Sequence, residues 1–209
     1  MVERDDVRRG YDELESTYAA ERAESELETG VLDEFLAALS TGARVLDAGC
    51  GPGTPRLRAL SERGPAVGLD FSRAQLDLAR ENAPAAALLR GDMSQLPVRE
   101  GSMDAITALH SLIHVPLSEH QTVLDEFARV LAPNGRVLLS EGPDAWRGSN
   151  PDWLDSGVEM AWHIAGIEAT KEHLRAAGFV VTEEWDTSQE FANEEEQWAY
   201  VAAKLENLQ

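Results

Sequence analysis

Two carboxylates, a glycine cluster and a histidine stand at spacings that could hold a small polar cofactor and act beside it. The run Val45-Leu46-Asp47-Ala48-Gly49-Cys50-Gly51-Pro52-Gly53-Thr54 is a short apolar stretch that ends in three glycines. A helical pattern from about Pro55 to Arg63 follows. A strand that turns sharply into a helix is how an open α/β sheet makes a nucleotide-sized site at its carboxyl edge. Glycine permits positive φ and lets a ligand approach with no Cβ in the way. The helix start that follows offers unpaired N–H groups. Asp70 ends the next apolar run, Ala66-Val67-Gly68-Leu69-Asp70. It stands about 20 residues beyond the first glycine, where dinucleotide-binding folds place a carboxylate to accept hydrogen bonds from ribose hydroxyls. The glycine spacing is not the dinucleotide fingerprint, because the third glycine comes one residue early. His114 falls in the loop after the fourth strand, on the side where a substrate must approach. It is the candidate catalytic base or substrate contact, since histidine titrates in a useful range. The plainer reading is a packed histidine bonded to backbone. His110 and His114 are four apart, as two helical ligands would be, but no third ligand accompanies them and no metal site is expected. His120, His163 and His173 read as ordinary surface or partly buried residues.

The elements that must position these residues alternate. Asp5 to about Arg22 reads as a helix, with Tyr11, Leu14 and Tyr18 at helical spacing and Tyr18 as an anchor to the core, and Val31–Leu39 as a second. The expected strands are Arg44–Ala48, Ala66–Asp70, about Ala87–Arg90, Ser102–Leu109 and Arg136–Ser140. Between them lie helices from Pro55, from Arg73 to Glu81 behind the cap Ser72, and from Ser118 to Leu131. Residues 142–167 break the pattern and hold Trp146, Trp153 and Trp162 among Gly, Pro, Ser and Asn. A long connection of this kind is often functional, so this segment is expected to cap an acceptor site, the three tryptophans giving it apolar walls. They could equally fill core beneath a loop. A short helix, Lys171–Ala177, precedes two β-rich runs, Phe179–Thr187 and Trp198–Lys204, separated by the acidic turn Asn193–Glu196. Strands alternating with helices predict a doubly wound, Rossmann-like α/β fold with helices on both faces. No repeat or linker divides residues 1–209, which are expected to form one domain.

The stretch Asp47-Ala48-Gly49-Cys50-Gly51-Pro52-Gly53 resembles the first motif of the class I S-adenosylmethionine-dependent methyltransferases. So do Gly91-Asp92-Met93, which resemble the adenine-binding loop of that family, and Arg129-Val130-Leu131-Ala132-Pro133-Asn134-Gly135-Arg136, which resembles the helix–turn–strand before its fifth strand. The lead Val7-Arg8-Arg9-Gly10-Tyr11-Asp12 is similar to that of many small-molecule methyltransferases. The resemblance implies a mostly parallel seven-stranded sheet with an antiparallel last strand. It implies S-adenosylmethionine as cofactor, with Gly49, Cys50 and Gly51 at its methionine portion. Asp47 would hold the amino group or orient the loop. Asp70 and Phe71 would lie at the ribose, Asp92 and Met93 at the adenine, and Leu109 and His110 beside the sulfonium. The helices within residues 1–40, Tyr11 included, would fold over the cofactor. Cys50 reads as a small buried filler rather than a nucleophile.

Composition bounds the partners. The 209 residues carry 38 acidic side chains against 18 basic ones, a net charge of −20. Such a surface repels nucleic acid and anionic membrane. It is consistent with adaptation to high salt, where repulsion among carboxylates is screened. No apolar run approaches the roughly 18 residues that span a bilayer, and the charged start Met1–Asp6 has no apolar signal region. A cytoplasmic protein is expected. The single Cys50 excludes an internal disulfide. The expected activity is methyl transfer to a small-molecule acceptor, achieved mainly by positioning. The competing readings are an NAD-dependent oxidoreductase and a non-catalytic cofactor-binding domain. Oligomeric state is not legible.

Overall fold

Successive residues of a strand point to opposite faces, and this parity builds the two apolar layers of the molecule. The computed structural model describes residues 4–14, 18, 26–191 and 194–206. In β1 (Val45–Ala48) Val45 enters one layer and Leu46 the other. In β4 (Met103–Ala108) Ala105 and Ile106 divide in the same way, as do Leu138 and Leu139 in β5 (Leu131–Glu141). Strands with both faces apolar need helices on both sides. One layer is closed by α2 (Glu26–Ala37), α3 (Arg56–Arg63) and α4 (Arg73–Asn82), through Phe35, Leu57, Leu60 and Leu76. The other is closed by α5 (His120–Val130) and α6 (Ile167–Ala176), through Val123, Phe127 and Leu174.

With β2 (Ala66–Asp70) and β3 (Ala87–Arg90), the sheet has seven strands in the order β3-β2-β1-β4-β5-β9-β8. The first five are parallel. The last, β9 (Glu194–Leu205), runs antiparallel between β5 and β8 (Phe179–Phe191). The doubly wound sheet with one antiparallel strand is therefore as expected. Strand order reverses between β1 and β4, and at such a switch point the carboxyl ends of the strands open a crevice. The expected punctuation is present. Ser72 caps α4 by accepting from the Gln75 N–H, and Asn134, with φ of 65°, turns the chain between α5 and the main ladder of β5.

The structure departs from the sequence reading in four places. The first helix, α1 (Arg4–Glu13), ends in a bend at Leu14, Tyr18 is again helical, and the other residues from 15 to 25, on which the rest of the expected helix falls, lie outside the described residues. Residues 142–167 are not irregular: β6 (Trp146–Trp153) and β7 (Val158–Ile164) form an antiparallel two-stranded sheet of their own. Strand β6 is almost wholly exposed, so nothing selects the apolar alternation that would have announced it. The pairing of β8 with β9 runs past the expected acidic turn, as far as Phe191 opposite Glu194. His120, read as an ordinary histidine at or near the surface, is fully buried. Its Nε2 donates to the Val115 carbonyl at 2.9 Å, and burial lowers its pKa to about 4.

A third apolar cluster joins α1 to the β6–β7 hairpin. Val7, Tyr11 and Leu14 pack on Trp153, Met160 and Ala161. The base of the hairpin is tied by Glu141, the last residue of β5. Its fully buried carboxylate accepts from the Gly142 N–H at 2.9 Å and from the Thr170 hydroxyl at 3.1 Å. Burial raises the Glu141 pKa from 4.5 to about 7. The folded state then holds this proton more tightly than the unfolded chain does. Wild-type stability contributed by this group falls as pH rises from 4.5 to 7 and is level above that. Glu141→Gln has no such term. Its stability relative to wild type is expected to improve by up to about 3 kcal/mol between pH 4.5 and 8, measured by urea unfolding across that range.

Candidate functional site

The glycine loop after β1 is shaped by what lies behind it. Gly49 has φ of 80°, and a Cβ there would sit 2.3 Å from the Ser111 Cβ. Ser111 is held in place by its own hydroxyl, which donates to the Ala48 carbonyl at 2.8 Å. Position 49 thus lacks room for any side chain. Asp47 is fully buried below the loop. Arg56 Nε lies 3.0 and 3.2 Å from its two carboxylate oxygens, and the Thr107 hydroxyl donates to Oδ1 at 2.8 Å. Arg56 Nη2 also reaches the carbonyls of Gly49 and Leu109, both at 3.4 Å. One guanidinium therefore pins the loop after β1 to the loop after β4. Of the two roles expected of Asp47, its geometry fits orientation of the loop, because it does not line the cavity above.

Asp70, at the end of β2, receives the Gly51 N–H on Oδ2 and the Ser72 N–H on Oδ1, both at 2.9 Å. Each carboxylate oxygen retains a further acceptor site. The side chain is buried but borders the cavity, and burial raises its pKa from 3.8 to about 6 against the opposing effect of the Ser72, Gly51 and Phe71 N–H groups. Cys50 is buried beside it, and burial, then the charges of Asp70 and Asp47, hold its thiol pKa well above the ordinary value. A thiol so held is protonated and inert, in keeping with a filler.

These loops surround a cavity of roughly 390 Å³. Gly49, Cys50, Gly51, Asp70 and Phe71 line one side of it. Asp92 and Met93, after β3, line it as well, and Asp92 Oδ1 accepts from the Ser94 N–H and hydroxyl at 2.8 Å each. Leu109 and His110 complete the wall after β4. His110 adopts φ of 53°, uncommon for a residue with a Cβ and often found at functional sites. Its N–H donates to Ser140 Oγ at 2.6 Å, and its ring stands edge-on to Trp198 with centroids 4.3 Å apart. His114 also lines the cavity, bonded both to the Ala161 carbonyl at 3.0 Å and to the Tyr11 hydroxyl at 2.8 Å.

Helix α1 is latched over this edge. Asp12 Oδ1 accepts from the Ser72 hydroxyl at 2.6 Å and the Ala74 N–H at 3.3 Å, and Gln75 Nε2 donates to the Tyr11 carbonyl at 3.2 Å. Tyr11 is thereby brought to the cavity wall, with Tyr18 beside it. None of the three tryptophans is in the lining of this cavity. Trp153 and Trp162 stand one layer behind, Trp153 against Tyr11 and Tyr18, while Trp146 is half-exposed. Tyr11 and Tyr18 stand between Trp153 and the cavity. Sequence reasoning missed Arg56, Ser111 and Gln75 and treated Tyr18 as a core anchor. The signal for Tyr18 was its seven-residue spacing from Tyr11, which puts both rings on one helical face.

The cavity fits a cofactor with a ribose and a flexible zwitterionic arm. A bare backbone cradle faces it at Gly49, a buried carboxylate with remaining acceptor sites borders it at Asp70, and Asp92 with Met93 offers an acceptor beside an apolar contact. The described residues include no helix long and apolar enough to cross a membrane. Residues 45–135 match the model of the methyltransferase domain family. The chain is 30% identical over 184 residues to 27-O-demethylrifamycin SV methyltransferase of Amycolatopsis mediterranei, covering 81% of this chain and 65% of that protein. It is 36% identical over 109 residues to demethylmenaquinone methyltransferase of Lactococcus lactis, covering 48% of this chain and 42% of that protein. The chain thus spans less than two thirds of the length of these curated relatives. Its fold is similar to that of a SAM-dependent methyltransferase from Methanosarcina mazei, with a TM-score of 0.73, 19% identity, and coverage of 83% and 97% of the two chains.

Proposed function

We propose that the chain, whose residues 45–135 match the methyltransferase domain family, is a class I S-adenosylmethionine-dependent methyltransferase and transfers a methyl group from that cofactor to a small-molecule acceptor. The observation that carries the reading is the cavity at the switch point, where the loop held by Asp70 meets the wall of Tyr11, His110 and His114. Asp70 would receive the ribose hydroxyls, Asp92 and Met93 the adenine, and the Gly49–Gly51 backbone the amino-acid arm. The bound cofactor supplies a methyl group already activated by a good leaving group. The chain's own work is then alignment and exclusion of water, and such positioning is worth several kcal/mol. Arg56 fixes the two loops relative to each other, and α1 covers the crevice. The β6–β7 hairpin is the cap on the acceptor side, supporting Tyr11 and His114 from behind.

A small acceptor suits the relatives, which act on a rifamycin and on demethylmenaquinone. The net charge of −20 opposes binding to a phosphate backbone. We assign that charge to working in high salt and the protein to the cytoplasm. The test is release of S-adenosylhomocysteine from S-adenosylmethionine in the presence of small hydroxyl, amine and thiol acceptors, in molar potassium chloride. Acceptor-dependent release supports the proposal. Tight cofactor binding with no release on any acceptor would favour a non-catalytic binding domain.

Asp70→Ala is expected to weaken S-adenosylhomocysteine binding by about 30-fold or more, since hydrogen bonds to a charged group contribute roughly 2 kcal/mol. In wild type, binding needs the carboxylate ionised. With its pKa at about 6, affinity should be constant above pH 7 and fall about tenfold for each pH unit below 6. Calorimetric titration from pH 5 to 8 checks both.

A further inference from the structure

The Tyr11–His114 pair has a defined direction. His114 Nδ1 lies 3.0 Å from the Ala161 carbonyl on β7. A carbonyl oxygen only accepts, so this nitrogen carries the proton. In the neutral ring Nε2 is then the acceptor, and it receives the Tyr11 hydroxyl at 2.8 Å. A phenol oxygen that gives its proton away can itself accept a hydrogen bond. The imidazole is only 8% exposed and bonded at both nitrogens. A proton leaving a substrate in the cavity therefore reaches it by way of the Tyr11 oxygen. The Tyr11 ring itself lies among aromatic rings: Tyr18 meets it edge-on with centroids 5.1 Å apart, and the Phe71 centroid lies at 6.5 Å.

We propose that Tyr11 is the catalytic residue that takes the proton from a hydroxyl of the acceptor, and that the acceptor is a flat, largely apolar compound methylated on oxygen. The proposal rests on the methyltransferase reading above and deepens it. As the acceptor oxygen bonds to the methyl carbon, the methyl–sulfur bond breaks and its electron pair stays on sulfur. The hydroxyl proton passes to Tyr11 Oη, and the proton of Tyr11 passes to His114 Nε2. The positive charge lost from the sulfonium reappears on the imidazolium, which afterwards releases its proton to solvent. The chemistry selects this class. A hydroxyl must lose its proton to become a good nucleophile, whereas a thiol with a pKa of about 8.5 ionises near neutrality unaided. An ammonium group would call for a carboxylate, while an uncharged Tyr–His pair matches an uncharged hydroxyl.

The experiment compares wild type, Tyr11→Phe and His114→Asn on 1-naphthol, 1-naphthylamine, 1-naphthalenethiol and 4-nitrophenol at pH 8. S-adenosylhomocysteine binding is measured calorimetrically for each protein. Wild type is expected to methylate 1-naphthol on oxygen. Tyr11→Phe should lower kcat on 1-naphthol about 100-fold, the scale of general-base catalysis. On 4-nitrophenol, already largely ionised at that pH, the loss should stay under about threefold, because no proton remains to be moved. Binding of S-adenosylhomocysteine should change by less than about twofold, because phenylalanine keeps the ring that covers the cofactor and only the hydroxyl is lost. Methylation of only the amine or the thiol, or of none of the four by protein that binds S-adenosylhomocysteine, overturns the proposal. So does a Tyr11→Phe variant that slows both hydroxyl acceptors equally, or that loses cofactor affinity in step with rate. Failure of wild type to bind S-adenosylhomocysteine removes the methyltransferase reading itself.

Discussion

Gly49→Ala is expected to weaken cofactor binding by up to about 100-fold, while Gly51→Ala, two residues on, should weaken it far less. Both glycines have positive φ, 80° and 53°, so an alanine at either place carries backbone strain of about 1 kcal/mol. They differ in what a side chain would meet. At 51 the nearest atoms are Gln75 Oε1 and Tyr18 Cε1, both at 3.9 Å, an ordinary contact. At 49 the new methyl would stand 2.3 Å from the Ser111 Cβ and 3.0 Å from its Oγ. Ser111 cannot retreat without releasing the Ala48 carbonyl, nor can the loop rise without entering the cavity. Overpacking of this kind costs about 1–3 kcal/mol. Added to the backbone strain, that approaches the roughly 2.8 kcal/mol that separates affinities differing 100-fold. Side-by-side titration of the two variants with S-adenosylhomocysteine, with circular dichroism to verify folding, reads the difference. Equal losses at the two positions would contradict the role given to Ser111 as a wall.

Removal of Arg56 should have the largest effect on stability. Asp47 is fully buried, and Arg56 is its ion-pair partner, only 12% exposed itself. Thr107 alone would then remain to a carboxylate in the sheet's interior. Breaking a buried pair from one side costs about 3–5 kcal/mol, because the remaining charge is stranded. Arg56→Met is therefore expected to lower the unfolding free energy by that amount. The double variant Arg56→Met/Asp47→Asn should recover more than half of it, since no charge is left behind. It should still bind cofactor poorly, because the tie from Arg56 to the Gly49 and Leu109 carbonyls is lost. Urea unfolding of the two single variants and the double variant measures the coupling. Additive losses would show that the pair is not what holds the loop.

The parts of this site legible in the sequence are those whose chemistry is local. Asp47 to Gly53, Asp70 and Asp92 each sit one or two residues past an apolar run. A parallel sheet brings such positions to one edge whatever else the chain does. Ser72 could be read as a cap because its partner, the Gln75 N–H, is three residues away. Arg56 was not legible, because its value comes from carbonyls and a carboxylate on different strands. Nor was the β6–β7 hairpin, whose exposed first strand is rich in turn-forming residues and pairs with β7, the strand that packs against α1. The tryptophans show the limit of composition. Their presence in the acceptor-side segment was plain, but only the tertiary structure sets Tyr11 and Tyr18 in front of them. His120 was misjudged for the same reason: a polar residue at a helix start gives no hint that the neighbouring Val115 carbonyl will bury and bind it.

The central claim is that this cavity takes S-adenosylmethionine and not a dinucleotide. It is tested most directly by calorimetric titration of wild-type protein with S-adenosylhomocysteine, and separately with NADH, in molar potassium chloride at pH 8. The account requires micromolar binding of S-adenosylhomocysteine at one site per chain and no heat from NADH. Binding of NADH with no binding of S-adenosylhomocysteine, in folded protein, would contradict it and return the glycine loop to the nicotinamide-dependent oxidoreductases.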